Sequence, residues 1–479
     1  MPFWIDVIYD VLEIALPLAM VPMAARVHRP YVALAWILFV VLMPVIGFAA
    51  YLYLSAYRGR RLHHRHREAR ERIAAALARP ESVAEDEHAS WGALARVVHD
   101  VGTPFSAGRP AVGGNRLELV SDSRQWIERL LEDLGHAREH AHLLFYQYND
   151  DDTGRRVADA LLAAVERGVR CRLLVGAFAS RFEGTRSVFR ELGPRLEEAG
   201  VEVVSLRPLG PLRGLRRADL RNHRKLAVID GRVGHTGSQN IHDADLHLER
   251  GEWQQLMLRL EGPAALQLQA VFAEDWLIET GELLDAKEIF PEPEAADGAA
   301  AQILWWGPTD LDPAFGPVLL AILGGSRHHV SLTSPYFVPD EPLSMALQAA
   351  ARRGVEVDLI VPERSDRRVA DAAARANFGP LLRAGVRIHL HQDGFLHAKS
   401  LTADGELAMV GSANLDRRSL HLDDEVAALV YEPEVAAGLE RVHTRYREAS
   451  RRLHPERFAE RSAWSETADR VANLLGPLL

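Results

Sequence analysis

The chain has 479 residues, 48% hydrophobic and 25% charged, which excludes a disordered chain and leaves room for a large core or several domains. A single cysteine, Cys171, excludes an intramolecular disulfide and suits a reducing compartment. The formal net charge of −10 speaks against a general nucleic-acid binder, which as a rule carries a basic domain.

In chain order, the first apolar stretch, "MPFWIDVIYDVLEIALPLAMVPMAA", carries Asp6, Asp10 and Glu13 at i, i+4 and i+7. It either spans a membrane or lies in the interface or against the next segment. Tyr31 to Leu54 is 24 residues without a charge, and the spacing predicts one transmembrane helix. Arg58, Arg60, Arg61, Arg65, Arg67, Arg70 and Arg72 follow, against Arg26 and Arg29 in the loop between the two apolar segments. By the positive-inside rule the remainder is cytoplasmic. His63, His64 and His66 sit within this run and read as solvated neighbours of a headgroup-facing basic segment, not as a metal tract. Residues 1–56 are thus a membrane anchor and 57–114 a basic juxtamembrane segment and linker.

The rest is a repeat. "LLFYQY" (143 to 148), a helical stretch from Thr153, "RGVRCRLLVG" from Arg167 and "AGVEVVSL" from Ala199 are matched by "VSLTSPYF" (330 to 337), a helical stretch, "RGVEVDLIVP" from Arg353 and "AGVRIHLH" from Ala384. Strand-length apolar runs alternating with amphipathic helices predict βαβ units and a mostly parallel sheet. Gly168 to Gly200 is 32 residues and Gly354 to Gly385 is 31, so one α/β unit is duplicated, as residues 115–290 and 303–479. Between them, "PEPEAADGAA" within 291–302 has linker composition. The first unit has 11 extra residues before its motif, around "RPLGPLRGLRRADLR". Singly, Arg207, Arg213, Arg216, Arg217 and Arg221 read as solvated; as a group they could equally meet anionic headgroups.

"HRKLAVIDGRVGHTGSQN" (223 to 240) and "HAKSLTADGELAMVGSAN" (397 to 414) agree at His223/His397, Lys225/Lys399, Asp230/Asp404, Gly237/Gly411, Ser238/Ser412 and Asn240/Asn414. Each reads as a hairpin turning at Asp-Gly. Residues two apart on a strand share a face, so each histidine points with its lysine. A single His-x-Lys is an ordinary strand; two complete copies point to a site built for an anionic phosphate. Its imidazole would attack or carry a proton, and its lysine, hydroxyl and amide would surround the oxygens. Nothing in the pattern makes a metal cage, and lysines beside the histidines disfavour divalent ligation, so neither metal nor cofactor is expected.

At these residues the sequence resembles the phospholipase D superfamily, whose signature H-x-K-x4-D-x6-G-S-x-N is present twice. "AEDWLIETGE", "SPYFVPDEPL", "VGSANLDRRSLHLDDE", "ANLLGPLL" and the paired apolar segments further resemble bacterial cardiolipin synthases. The resemblance implies two pseudo-symmetric α/β halves with mixed sheets packed together, behind N-terminal transmembrane helices, in a multi-pass protein of the bacterial inner membrane with its catalytic domain cytoplasmic. His223 and His397 would meet at one phosphate, one as nucleophile and the other as acid and base. The two lysines, Ser238, Asn240, Ser412 and Asn414 would hold phosphate oxygens, and Asp230 and Asp404 would organise the turns. Two phosphatidylglycerol molecules would give cardiolipin and glycerol; a hydrolase acting on phospholipid or nucleic acid is the alternative. Anionic membrane lipid is the expected partner, nucleic acid is not, and a homo-oligomer is left open. The family has an acidic residue beside each catalytic histidine. Glu425 fills that place for one, with His223 its expected partner, whereas Gln255 stands where the other acid is expected. Glu252 or Glu249 could equally swing in to replace that carboxylate.

Overall fold

The computed structural model describes residues 3–27, 30–52, 67–73, 88, 91–105, 109–176, 188–206, 220–244, 251–292, 297–308 and 315–476. The chain divides into two compact units, residues 1–68 with 210–218, and residues 69–209 with 219–479.

In the first unit, helix Phe3–Val27 is followed by Pro30–Leu42 and Pro44–Tyr51. Met20, Ala24, Ala33, Val40 and Tyr51 form its small core, with Trp36 edge-on to Tyr51 at 5.4 Å. The expected unbroken helix from Tyr31 to Leu54 is instead two helices of 13 and 8 residues. Met43 leaves the helical region at φ −141°, ψ 76°, because the ring of Pro44 crowds the residue before it. Among the described residues no helix is long and apolar enough to cross a membrane.

The basic run is described only in part; Arg58, Arg60, Arg61 and Arg65, with His63, His64 and His66, lie outside the described residues. Arg70 does not face solvent as expected. Its Nε donates to Glu274 Oε2 at 3.0 Å, and that carboxylate is buried in the second unit to which Arg70 belongs.

The second unit is built on one sheet of fifteen described strands. In the first half, His140–Phe145, Arg170–Gly176 and Glu202–Leu206 run parallel. Lys225–Ile229, Val233–Gly237, Met257–Glu261 and Val112–Val120 then add antiparallel on the other side of His140–Phe145. The second half repeats this with His329–Thr333, Glu356–Pro362 and Arg387–His391 parallel. Ser400–Ala403, Leu407–Gly411, Glu425–Val430 and Ala299–Trp306 follow antiparallel. The sheet is therefore mixed, not mostly parallel, because each motif hairpin and the strand after it return antiparallel. The halves are not two separate packed sheets either. Val112–Val120 pairs antiparallel with Ala299–Trp306 and makes them one.

Strands covered on both faces become largely apolar, as in Lys225–Ile229, where every residue is buried and all but Lys225 are apolar. Helices Ala264–Thr280 and Pro433–Glu448 lie against the antiparallel strands of both halves. Leu226, Val228 and Leu258 share a core with Ala408, Val410 and Ala428 there. Ala264–Thr280 is apolar nearly all round and buried along almost its whole length. Its two buried acids are paired: Glu274 accepts from Trp305 Nε1 at 2.8 Å, and Asp275 takes Arg224 Nη1 at 2.7 Å and Asn222 Nδ2 at 2.9 Å. Those last two contacts clamp the residues on either side of His223.

Candidate active site

Each motif forms the hairpin its spacing predicts. Asp230 and Gly231 have φ of 53° and 64°, and Asp404 and Gly405 of 51° and 71°, the left-handed pair a two-residue turn requires. The Asp230 carboxylate accepts the backbone N–H groups of Arg138, Glu139 and His140 at 2.8–2.9 Å. Asp404 does the same for Arg327, His328 and His329 at 2.7–2.9 Å. Both aspartates thus pin the start of the neighbouring parallel strand and lie at the far end of the motif strands from the histidines. Asp404→Ala is expected to cost about 2 kcal/mol of stability by orphaning three amides, read as a lower Tm with little change in the KM of the folded fraction.

The histidines are placed by the opposite half. His223 N–H donates to Asp424 O at 2.8 Å and Asp424 N–H to Arg221 O at 2.9 Å. Across the pseudo-two-fold, Phe395 N–H donates to Glu252 O at 3.0 Å and His397 N–H to Gln254 O at 2.8 Å. Each histidine is therefore hung beside the residue that follows its backbone partner. His223 Nδ1 lies 3.0 Å from Glu425 Oε1, and His397 Nδ1 lies 2.9 Å from Gln255 Oε1.

The serines do something other than hold phosphate oxygens. Ser412 Oγ donates to Glu425 Oε2, and Ser238 Oγ donates to Gln255 Oε1 at 2.7 Å. Both serines are fully buried, and each also accepts a backbone N–H, from Val426 or Leu256. Ser419 gives Glu425 a further donor at 2.7 Å, so the carboxylate is held by two hydroxyls and one imidazole. Of the asparagines, Asn240 Oδ1 accepts Gln147 N–H at 3.1 Å, and Asn414 N–H donates to Ser419 Oγ at 3.1 Å. Asn414 Oδ1 is buried without a partner among the described residues.

Lys225 Nζ donates to His223 O at 2.7 Å and stands 5.4 Å from the Tyr146 ring centroid. Lys399 Nζ donates to His397 O at 2.8 Å and lies 3.1 Å from His397 Nε2. With Lys399 as donor, Nε2 of His397 accepts and Nδ1–H donates to Gln255. Burial pushes His397 well below the ordinary histidine range, and Lys399, Lys225, His223 and His242 push it further. Burial also lowers Lys399, helped by Lys225. The Glu425 carboxyl is raised by burial against the pull of Lys225, Ser412, Ser419 and Lys399. The two histidines and two lysines thus share one electrostatic neighbourhood, with a carboxylate on one side and an amide on the other.

Glu252 does not replace the missing acid. Its carboxylate is exposed and pairs with Arg124 at 2.7 Å, while Glu249 lies outside the described residues. Three further residues escape a motif reading. Arg224, fully buried, ties His223's strand to Asp275 and to Glu425 O at 3.2 Å. Tyr146 packs edge-on to His223 at 5.0 Å and accepts from Arg221 at 2.7 Å. Trp253 packs on His397 at 4.7 Å. Of the arginines before the first motif, Arg221 is thereby beside the site, and Arg207, Arg213, Arg216 and Arg217 lie outside the described residues. An arginine between His223 and Lys225, where the second copy of the motif has Ala398, was the available signal.

Two His-Lys pairs facing across the seam of a duplicated α/β sheet define a phospholipase D-like enzyme. The family described as cardiolipin synthase, PLD-like domain, matches residues 130–276 and 319–446, and residues 4–55 match the phospholipase D-nuclease N-terminal family. Cardiolipin synthase A of Erwinia tasmaniensis is 34% identical over 467 residues, 93% of each chain. Cardiolipin synthase A of Escherichia coli O1:K1 / APEC is 34% identical over 466 residues, again 93% of each. The crystal structure of phosphatidylserine synthase from Haemophilus influenzae Rd KW20 superposes with a TM-score of 0.61 at 14% identity, over 80% of this chain and 100% of that one, a likeness of fold. The chain belongs to the cardiolipin synthase family.

Proposed function

We propose that this enzyme transfers a phosphatidyl group from one phosphatidylglycerol to the free glycerol hydroxyl of another, giving cardiolipin and glycerol, with His223 as nucleophile. Nε2 of His223 attacks phosphorus and forms a P–N bond. The P–O bond to the departing glycerol breaks, and His397, which takes up a proton at Nε2 once the anionic phosphate lies beside it, delivers that proton to the glycerol oxygen. His397, now neutral, takes the proton of the incoming hydroxyl, whose oxygen displaces His223 from phosphorus. One phosphodiester is exchanged for another, so no cofactor is consumed.

The observation that carries the assignment is the crossed pairing of Glu425 with His223 and Gln255 with His397. An imidazole alkylated at Nε2 by phosphorus, with Nδ1 still protonated, is cationic, and a carboxylate on Nδ1 stabilises it. A histidine that must release and reclaim a proton in each cycle is served by an amide, which orients the ring without trapping the proton. Lys225 and Lys399 supply positive charge for the phosphate oxygens.

Purified enzyme with phosphatidylglycerol in mixed micelles should yield cardiolipin and glycerol in equal amounts with chelator present. Phosphatidic acid as the main product at every lipid concentration would establish the hydrolase instead. The arginines that follow residue 57 support reading the N-terminal hydrophobic helices as a bacterial inner-membrane anchor, with the catalytic unit cytoplasmic. Deleting residues 1–56 should leave a folded catalytic unit whose sedimentation with vesicles is weaker and salt-sensitive, stronger for anionic than for neutral lipid.

A further inference from the structure

Helix Ala463–Leu474 turns its apolar side outward. Trp464, Val471, Leu474 and Leu475 are 82%, 57%, 78% and 46% exposed. At 3.6 residues per turn, Trp464, Ala468, Val471 and Leu475 (i, i+4, i+7, i+11) fall within about 60° of one another, with Leu474 on the border. The opposite side holds the helix down. Asp469, 2% exposed, takes Arg375 at 2.9 Å and Arg461 at 2.6 Å, and Asn473 accepts from Asn377 at 3.2 Å. Polar contacts toward the protein and large apolar side chains toward solvent reverse the usual arrangement of a surface helix, so the outward face is built for something other than water.

The helix leads to the site. Gly476, just past its end, lies against Val338 and Arg417. Val338 belongs to the short parallel pair Phe337–Val338 with Leu415–Asp416, which begins immediately after Asn414 of the second motif. The helix beneath, Arg368–Ala384, starts next to Asp366, which accepts from Tyr336; Tyr336 packs toward Phe395, and Phe395 packs on His397. That start exposes Arg364, Arg368 and Val369.

We infer that Trp464, Val471, Leu474 and Leu475 seat the catalytic unit in the headgroup–acyl boundary of a lipid surface, presenting the active site to substrates that stay embedded there. This rests on the proposed phosphatidyl transfer. Both lipids keep their acyl chains in a membrane, so a lipid surface must reach the site, toward which the end of the stripe leads through Gly476 and Val338. An indole among aliphatic side chains, with arginines close by for anionic headgroups, is the chemistry of an interfacial helix. A second copy is the poorer occupant, since a handful of side chains on three turns falls short of the roughly 800 Å² per partner of a standard interface.

The test uses the full-length enzyme reconstituted in vesicles, carrying an environment-sensitive fluorophore on Trp464→Cys or, on the other side of the helix, on Glu466→Cys; the native Cys171 is buried. The probe at 464 should shift to the blue and be quenched by lipids carrying a quencher near the headgroup, while the probe at 466 stays aqueous. An aqueous probe at 464, or disulfide-linked dimers through it, overturns the inference. In parallel, W464S/V471S/L474S should keep its rate on monomeric short-chain phosphatidylglycerol and lose about tenfold or more on vesicles. Equal rates on both also overturn it. Lipid quenching at 464 in an enzyme that makes no cardiolipin would sink the transfer reaction alone, and cardiolipin formation with an aqueous probe would sink the docking face alone.

Discussion

His223→Asn and His397→Asn should each lower cardiolipin formation by about a thousandfold or more, but through different steps. The difference appears with a phosphodiester whose leaving group is a weakly basic phenol, which departs without a proton donor. His397→Asn should then release phenol in a burst and retain phosphorus on its remaining histidine, because the second step lacks its base. His223→Asn should give neither. Mass spectrometry of the quenched burst places the adduct: a peptide containing residue 223 agrees with the proposed roles, and one containing residue 397 from the His223→Asn enzyme reverses them. The geometry behind the expectation is the acceptance of Lys399 Nζ by His397 Nε2 at 3.1 Å, which marks that atom as a proton-accepting position in the resting site.

Glu425→Gln should lower turnover by about a hundredfold, and Gln255→Glu should move the pH profile. Glu425→Gln removes the negative charge from Nδ1 of His223 while keeping two oxygen- and nitrogen-bearing atoms of nearly the same shape. The loss therefore falls on formation of the cationic intermediate, read as slower burst and not as weaker binding. The sign for Gln255→Glu follows from the charge balance at His397. Burial and two lysines hold that imidazole well below its ordinary range. A carboxylate 2.9 Å from Nδ1 favours the imidazolium and raises its pKa. The step that needs the neutral base then requires higher pH, so the acid limb of the rate profile should shift upward by about one unit or more. An unmoved acid limb would mean that another group sets it.

The duplication and both hairpins could be read from residue types and spacing, because each depends on local pattern or on a repeat visible in one chain; the pairing of Glu425 with His223 came from the family resemblance. What could not be read depends on contacts between distant segments. The serines of the G-S-x-N stretches looked like phosphate ligands, but their hydroxyls bond the carboxylate and amide of the next strand, since a buried Glu425 needs donors more than a solvated phosphate does. Arg224 gave no sign of its partner Asp275, 51 residues away. Arg70 looked like a solvated cation until Glu274, 204 residues later, came to meet it. The break at Met43 was within reach of sequence reasoning, since Pro44 stands in the quoted stretch and restricts the residue before it; a count of uncharged residues overrode that signal.

The single antiparallel pair of Val112–Val120 with Ala299–Trp306 makes the chain a dimer closed upon itself, with the crossed histidine partners forming what would otherwise be an intersubunit site. Neither half holds a complete catalytic set, so activity measures the integrity of this seam and not of the two flanking cores. Opening the seam also uncovers the core that Leu226 and Val228 share with Ala408 and Val410, so under rising denaturant catalysis and ellipticity should be lost together. Divergence between the halves is also free to accumulate, because a substitution such as Gln255 changes one histidine only, which an assembly of two identical chains could never do.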